Sequence, residues 1–299
     1  MNPEPSVAVP GAAGPVVAVA VTTFHTADRT VADMLESFSR AARVAGGAFP
    51  GVSFRLHLVD NTAGGTDRAR LEGLLQRHLA AGLPVAADIL SGHGNVGFGA
   101  ANNRALLAES ADFLVVANPD LVYEPEAFAA LLVTFRDNPS VGLVTPAFVG
   151  EGGHVSHLCK RYPSFAVLFG RGFLPGRLRR LIAGPLSAYA MADRAAGADF
   201  RGPPIVTGAF MAFRRGVFQD IGGFDEHFFL YFEDFDISLR AGRVADILFA
   251  HRVRMRHEGG DAGRKGLRHV RLFSASAGRF WRKHGFRLWQ VRDEPPRRA

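Results

Sequence analysis

The chain has 299 residues, 47% of them hydrophobic, and a formal net charge of +7. That length suits one large α/β domain or two smaller ones, and with no uncharged apolar run of about 18 residues no membrane-crossing helix is expected. The single cysteine, Cys159, excludes an intrachain disulfide and a cysteine-rich zinc site.

The opening MNPEPSVAVPGAAGP lacks a basic region and is rich in Pro and Gly. It reads as a loose tail rather than a signal peptide, which points to a cytoplasmic protein. Positive charge is unevenly spread. One basic cluster comprises Lys160, Arg161, Arg171, Arg177, Arg179 and Arg180, threaded through Phe165, Leu168, Phe169, Phe173, Leu174, Leu178 and Leu181. A second excess of Arg and Lys begins at Arg240. Basic residues interleaved with bulky apolar ones suit the anionic inner face of a membrane, although a solvated basic face has the same composition. Zinc-finger and RNA-recognition spacings are absent, so nucleic acid is not the expected partner.

Val16–Phe24 is a near-continuous apolar run, the pattern of a strand buried on both faces. Residues 28–44 follow with Met34, Leu35, Phe38 and Ala42 at helical spacing. Val52–Asp60 alternates as a strand and ends in the turn Asn61-Thr-Ala-Gly-Gly. Further helices are expected over 67–79, 97–110 and 125–136, and strands over 85–90, 113–118 and 141–145. This alternation predicts a Rossmann-like, mostly parallel sheet flanked by helices. Loops and short helices are expected over 150–204, then a strand over 205–213, a short strand over 247–249 and an amphipathic helix over 267–284.

Ligands bind open α/β sheets at the carboxyl ends of the strands, and polar clusters fall at three such ends: Thr22–His25, Asp60-Asn61 and Asn118-Pro119-Asp120. An amide and a carboxylate two residues apart suit Mg²⁺ or Mn²⁺ completed by substrate phosphates, and equally an Asn-Pro turn with a helix cap. Gly92-His-Gly-Asn-Val-Gly97 matches the spacing of a dinucleotide-binding turn, but that turn belongs after the first strand, where this chain has TTFHTAD. The wider GNVGFGAANN offers Asn95, Asn102 and Asn103 to a sugar or diphosphate. In residues 213–240, Asp225, Glu226, Glu233, Asp234 and Asp236 are embedded among phenylalanines, where a carboxylate needs a compensating partner. Glu233, Asp234 and Asp236 also suit the acidic first turn of a helix.

Taken in order, VAVTTF, LVDN, GNVGFGAANN, VVANPD, GAFMAFRRGVFQDIGGFDEHFFLYFEDFDISLR and a later histidine resemble the family 2 inverting glycosyltransferases of GT-A fold, and within them the rhamnosyltransferase-like branch. The resemblance runs from about Val16 to His257. It implies a GT-A domain over 15–260, with a nucleotide-sugar half (15–146) and an acceptor half (147–260), followed by a basic helix and tail (261–299). It further implies a dTDP- or UDP-sugar donor, dTDP-L-rhamnose being the one the branch favours. The acceptor would be a glycan or lipid-linked saccharide of a bacterial surface polymer, and the cofactor Mg²⁺ or Mn²⁺.

Carried over by position, Thr23, Phe24 and His25 match the motif that holds the nucleotide, and Asp60 an acid that contacts the base. Asn95, Gly97, Asn102 and Asn118 join the donor site. Asp120 matches the metal-binding acid, with His257 as its companion, and Asp234 the general base, with Glu233 beside it. His25 stands where Asn or Asp is usual, and Asn118 replaces an acid. The helix start is expected to lower the Asp234 pKa and keep it ionised. Two rival readings remain at this stage: a nucleotide-dependent oxidoreductase built on Gly92–Gly97, and a non-catalytic basic membrane- or nucleic-acid-binding module.

Overall fold

The computed structural model describes residues 14–175, 177, 180–258 and 267–289. The expected N-terminal tail before Gly14 lies outside them, as do Leu178 and Arg179 of the basic cluster. The first half alternates as expected: β1 (Val16–Thr23), α1 (Asp28–Ala48), β2 (Ser53–Asp60), α2 (Arg68–His78), β3 (Val85–Leu90), α3 (Phe98–Leu106), β4 (Phe113–Ala117), β5 (Leu121–Tyr123), α4 (Ala127–Asp137) and β6 (Val141–Val149). The second half adds β7 (Val155–Ser156), α5 (Phe165–Phe173), α6 (Ala183–Tyr189), β8 (Phe200–Arg201), β9 (Phe210–Arg214), α7 (Arg215–Asp220), α8 (Glu233–Ala241), β10 (Asp246–His257) and α9 (Leu267–His284).

The strands join one sheet in the order β3-β2-β1-β4-β9-β6-β10-β5, with β7 on β6 and β8 on β10. Pairing is parallel from β3 to β4, and β9 enters antiparallel between β4 and β6. Alternation along β1 assigns its two faces. Val17, Val19 and Val21 pack with Met34, Leu35 and Phe38 of α1 in one core. Ala18 and Ala20 pack with Ala101 and Ala105 of α3, Phe218 and Ile237 in the other. Small residues on the second face let α3 approach closely, which brings the loop before it over the carboxyl ends of β1 and β2.

Three expectations change. The strand expected over 205–213 is confined to Phe210–Arg214; Ile205 instead bridges Lys160, and the residues between form a turn around Gly208. The short strand expected over 247–249 is a twelve-residue strand. Its second half alternates arginines outward with buried Val253 and Met255 inward, the pattern of a one-sided pairing, here with β5. Between Ala250 and Arg254 the register with β6 shifts, beside Pro146, which has no N–H to give the ladder. Residues 121–123, given no strand by the pattern, supply that edge as β5.

The basic C-terminal helix α9 forms over the expected residues and packs into a third core. Phe280 meets Tyr162 and Phe232, and Phe273 meets Tyr231 and Phe232. A buried ionic clamp completes the contact. Fully buried Asp236 on α8 accepts from Arg240 Nε and His284 Nε2, each at 2.7 Å, and pairs with Lys283 Nζ at 2.7 Å. Burial alone would raise the Asp236 pKa, but the His284 hydrogen bond and the nearby Arg240 and Lys283 outweigh it and hold it below its ordinary 3.8. The stabilisation therefore exists above that value and is lost as pH falls through the folded-state pKa. Asp236→Ala should cost about 3–5 kcal/mol in denaturant unfolding at neutral pH, with the gap from wild type closing in acid. A loss well under 1 kcal/mol would show that the clamp is not what docks α9.

Candidate active site

The carboxyl ends of β1, β2 and β4 meet the loops before α3 and α8, joined by Asn61 N–H to Thr23 O and Phe98 N–H to Phe229 O. Thr23 is buried, and its hydroxyl donates to Val59 O at 3.3 Å. Phe24 is 51% exposed, its ring 4.6 Å from that of His25, and His25 holds a left-handed backbone with φ 50°. Asp60 is wholly buried. Its carboxylate accepts from the Thr62 N–H (3.0 Å), the Thr62 hydroxyl (2.6 Å) and the Asp67 N–H (3.2 Å). It therefore shapes the loop after β2, and all of its contacts are within that loop.

Asn61, next along, ties three loops together. Its N–H donates to Thr23 O at 3.0 Å, its Nδ2 to Asn95 Oδ1 at 3.2 Å, and its Oδ1 accepts from the Val96 N–H at 3.0 Å. Gly97 follows with φ 90°, and a Cβ there would collide with the Phe229 carbonyl. The missing side chain makes room for the loop before α8, and the Phe98 N–H donates to that same carbonyl at 3.1 Å. The glycine spacing of residues 92–97 thus serves loop packing on the edge strand β3, not a dinucleotide turn. Asn102 and Asn103 also turn inward. Asn102 is fully buried and donates to Phe98 O, whereas Asn103 brackets Phe224 through its N–H and carbonyl and reaches Glu226. Close packing of α3 engages the Asn102 Nδ2 and both ends of the Asn103 amide, while Asn102 Oδ1 is buried without a directed partner.

At the end of β4, Asn118 and Asp120 are half-buried. Asp120 Oδ1 lies 3.3 Å from His257 Nε2, brought there by the antiparallel pairing of β5 with β10, which sets His257 opposite Leu121. The Asp120 side chain raises the His257 pKa against the opposing effect of burial. Asp120 Oδ1 is itself shielded from solvent without a directed hydrogen bond. One carboxylate oxygen short of donors and one imidazole beside it are a hard-cation half-site of the kind that substrate phosphates complete. Among the described residues no group of three or more His, Cys, Asp and Glu side chains gathers as a full metal cage. The donor set therefore fits Mg²⁺ or Mn²⁺ only with a phosphate as co-ligand.

Asp234 stands in the first turn of α8, behind a strained corner. Tyr231 and Phe232, both left-handed with φ 69° and 67°, are with His25 three of the four non-glycine residues at positive φ among the described residues. Such strain persists only where packing enforces it, and here α9 does so. The corner aims Asp234 at the turn before β9. The Gly208 N–H donates to Asp234 Oδ2 at 3.1 Å, and the Phe235 N–H to Oδ1 at 3.0 Å. The next residue, Ala209, accepts the Asn118 N–H at 2.8 Å. Two residues, Gly208 and Ala209, thus link the Asp234 carboxylate to the backbone of Asn118.

The expected lowering of the Asp234 pKa is reversed. Burial raises it, and the opposing influence of Lys160 and the two N–H donors falls short. The cause is one of magnitude. A helix N-terminus contributes about 0.3–1 kcal/mol, less than one pKa unit, while burial can move a carboxyl by about 3–5 units. Glu233, 7% exposed and with Oε2 unpartnered, is pushed to about 8 by burial and by the adjacent Asp234. At neutral pH Glu233 is therefore largely protonated.

Asn61, Gly208, Lys160 and Tyr189 were not singled out from the sequence as donors, positioners or neighbours of the base. Asn61 and Gly208 carried a visible signal, a polar residue closing a strand and a glycine interrupting one. Lys160 and Tyr189 carried none, because their approach to Asp234 depends on folding of residues 150–204.

Residues 14–267 match the family described as glycosyltransferase like family 2. Two curated relatives, N-acetylglucosaminyl-diphospho-decaprenol L-rhamnosyltransferases of Mycobacterium tuberculosis strains CDC 1551 / Oshkosh and ATCC 25618 / H37Rv, are 30% identical over 163 residues, 50% of this chain and 51% of theirs. The chain thus spans about half the length of the curated relatives it matches. Among solved structures, the mannosyltransferase PcManGT from Pyrobaculum calidifontis in complex with GDP-Man and Mn²⁺ aligns with TM-score 0.54 and 16% identity, covering 88% of this chain and 62% of that one. The architecture is the GT-A fold expected from the sequence. With the match covering residues 14–267, this chain belongs to glycosyltransferase like family 2.

Proposed function

We propose that the chain is an inverting glycosyltransferase that moves L-rhamnose from a dTDP-sugar to a saccharide or lipid-linked acceptor of a bacterial surface polymer. The observation that supports the reading is the pairing of Gly208 with Asp234 and of Ala209 with Asn118, which ties the Asp234 carboxylate through two adjacent residues to the strand end that leads to Asp120. The choice of sugar rests on the rhamnosyltransferase activity for which the two mycobacterial relatives are named.

In this reading Asp234 takes the proton of the acceptor hydroxyl as its oxygen attacks the anomeric carbon from the face opposite the diphosphate, whose bond to that carbon breaks. Protonated Glu233 keeps a second charge away from the base. Thr23, Phe24 and His25 line the nucleotide side, with Asp60, Asn95 and Gly97 fixing the loops around it. Asp120 and His257 would hold Mg²⁺ or Mn²⁺, which supplies charge stabilisation for the departing diphosphate when bound.

A membrane surface is proposed as a further partner. No described helix is long and apolar enough to cross a bilayer. However, the C-terminal segment pairs with α5, Phe165 N–H to Arg287 O at 2.8 Å and Ala166 N–H to Leu288 O at 3.0 Å. This gathers exposed Phe165, Phe169, Phe286, Leu288 and Trp289 into one patch near exposed Arg171, Arg177 and Arg180. The mixture suits anionic lipid.

Asp234→Asn should lower turnover about 10²- to 10⁴-fold with nucleoside diphosphate affinity retained in calorimetry; near-normal turnover would remove Asp234 from the role. Asp120→Ala should abolish the metal dependence of nucleotide binding, and an affinity indifferent to EDTA in the wild type would remove the metal. Sedimentation with anionic vesicles should be salt-sensitive and fall about tenfold in the double variant Phe169→Ser, Trp289→Ser. Failure of the wild type to sediment at low ionic strength would discard the membrane partner.

A further inference from the structure

Phe98, the first residue of α3, stands where the donor-side loops meet the base. Its loop is tied to the end of β2 by Asn61, which donates to Gly97 O at 3.4 Å and accepts from the Val96 N–H at 3.0 Å. The ring reaches the other way. A Cβ placed on Gly208 would lie 3.4 Å from Phe98 Cε1 and 3.2 Å from Asp234 Cβ, so the ring edge and the base flank the same glycine. Gly208 is not among the glycines with left-handed backbone. Its missing side chain therefore serves close approach, not backbone freedom.

The surroundings hold Phe98 in place. Its N–H donates to Phe229 O at 3.1 Å, its carbonyl accepts from Asn102 Nδ2 at 2.9 Å, and its ring meets Phe224 edge-on at 6.0 Å. Gly99 permits that last contact, since a Cβ there would lie 2.8 Å from Phe224 Cβ. Yet the core does not absorb the ring. Gly97 and Gly99 on either side are buried, while Phe98 is only half-buried, as are Gly208 and Asp234. A fixed, partly open aromatic ring beside a carboxylate offers a sugar two complementary contacts. The negatively polarised ring face takes C–H groups, and the carboxylate takes a hydroxyl.

We propose that Phe98 is a specificity-determining residue whose ring packs against the C–H side of the sugar being transferred. The inference rests on the function proposed above. Two features assign the ring to that sugar. The nucleotide has its own aromatic surface at the end of β1, where Phe24 and His25 are exposed. Phe98 is anchored to the donor-side strand ends and also flanks the base, and the group that must lie between donor diphosphate and base is the transferred sugar. Because its backbone and one ring edge are already fixed, the contact costs little further ordering.

Calorimetric titration of the full chain with Mn²⁺ tests this by comparing dTDP with dTDP-L-rhamnose in the wild type, Phe98→Leu and Phe98→Met. Both substitutions keep apolar bulk against Phe224 and remove the flat face. Each should weaken dTDP-L-rhamnose about three- to tenfold, the scale of one aromatic contact, with dTDP affinity unchanged. In steady-state turnover the donor KM should rise and the acceptor KM stay as it is. Equal losses for dTDP and dTDP-L-rhamnose would assign the ring to the nucleotide or to loop folding, and a rise confined to the acceptor KM would assign it to the acceptor. Either result would overturn the inference, as would variants that bind dTDP-L-rhamnose like the wild type. Wild-type protein that prefers another nucleotide sugar would strike the choice of L-rhamnose alone, and the variants should then show the same selective loss between that donor and its nucleotide. Wild-type protein that binds no nucleotide sugar would overturn the proposed function and this inference together.

Discussion

The Asp234 carboxylate is held by two backbone N–H groups and by no ion pair among the described residues, in a place where burial raises its pKa. That combination requires several distant parts of the chain. Gly208 must turn its N–H toward the carboxylate, and a Cβ at Gly208 would press on Asp234 Cβ at 3.2 Å. Tyr231 and Phe232 must accept left-handed backbone, at a cost of about 1–3 kcal/mol each. The aromatic core formed with α9 offsets that cost by locking both rings. Without α9 the corner would relax, and Asp234 would swing with the first turn of α8.

The same geometry links two halves of the chain that the sequence presents as separate. Asn118 ends a strand of the parallel half, while Ala209 begins the antiparallel insertion β9 between β4 and β6. Their hydrogen bond is an extension of that pairing. The acceptor-side elements are thus registered to the donor-side sheet by ordinary strand pairing, and the spacing between a cation half-site and a base is set by backbone rather than by flexible side chains. Where a side chain does set spacing, it is the short amide of Asn61, which bonds Asn95 Oδ1, Gly97 O and the Val96 N–H.

Much of the first half could be read directly. The strand over 85–90 and the helix over 267–284 fall on the expected residues. Residues whose polarity contradicts a buried strand end, such as Asp60-Asn61 and Asn118–Asp120, marked the candidate site. What could not be read was direction. Asp60 and Asn102 have the residue types of ligand contacts, yet the Asp60 carboxylate is engaged by its own loop and the Asn102 Nδ2 by its own helix. Local hydrogen bonds compete for short polar side chains, and composition does not say which competitor wins. β10 was underestimated for a related reason: seven residues rich in arginine and histidine resemble a loop until an edge strand is found to cover one face.

Charge distribution around the base was the least legible feature, because it depends on three terms of different range. The helix dipole acts on Asp234 locally and can be inferred from position. Burial depends on how Phe232, Phe235 and α9 close around it. The Lys160 field depends on a chain segment some seventy residues earlier, which meets α8 only through Ile205 and Ser238. With burial dominant, the carboxylate becomes a better base than a helix-start aspartate in water, and Lys160 and the two N–H donors oppose that rise.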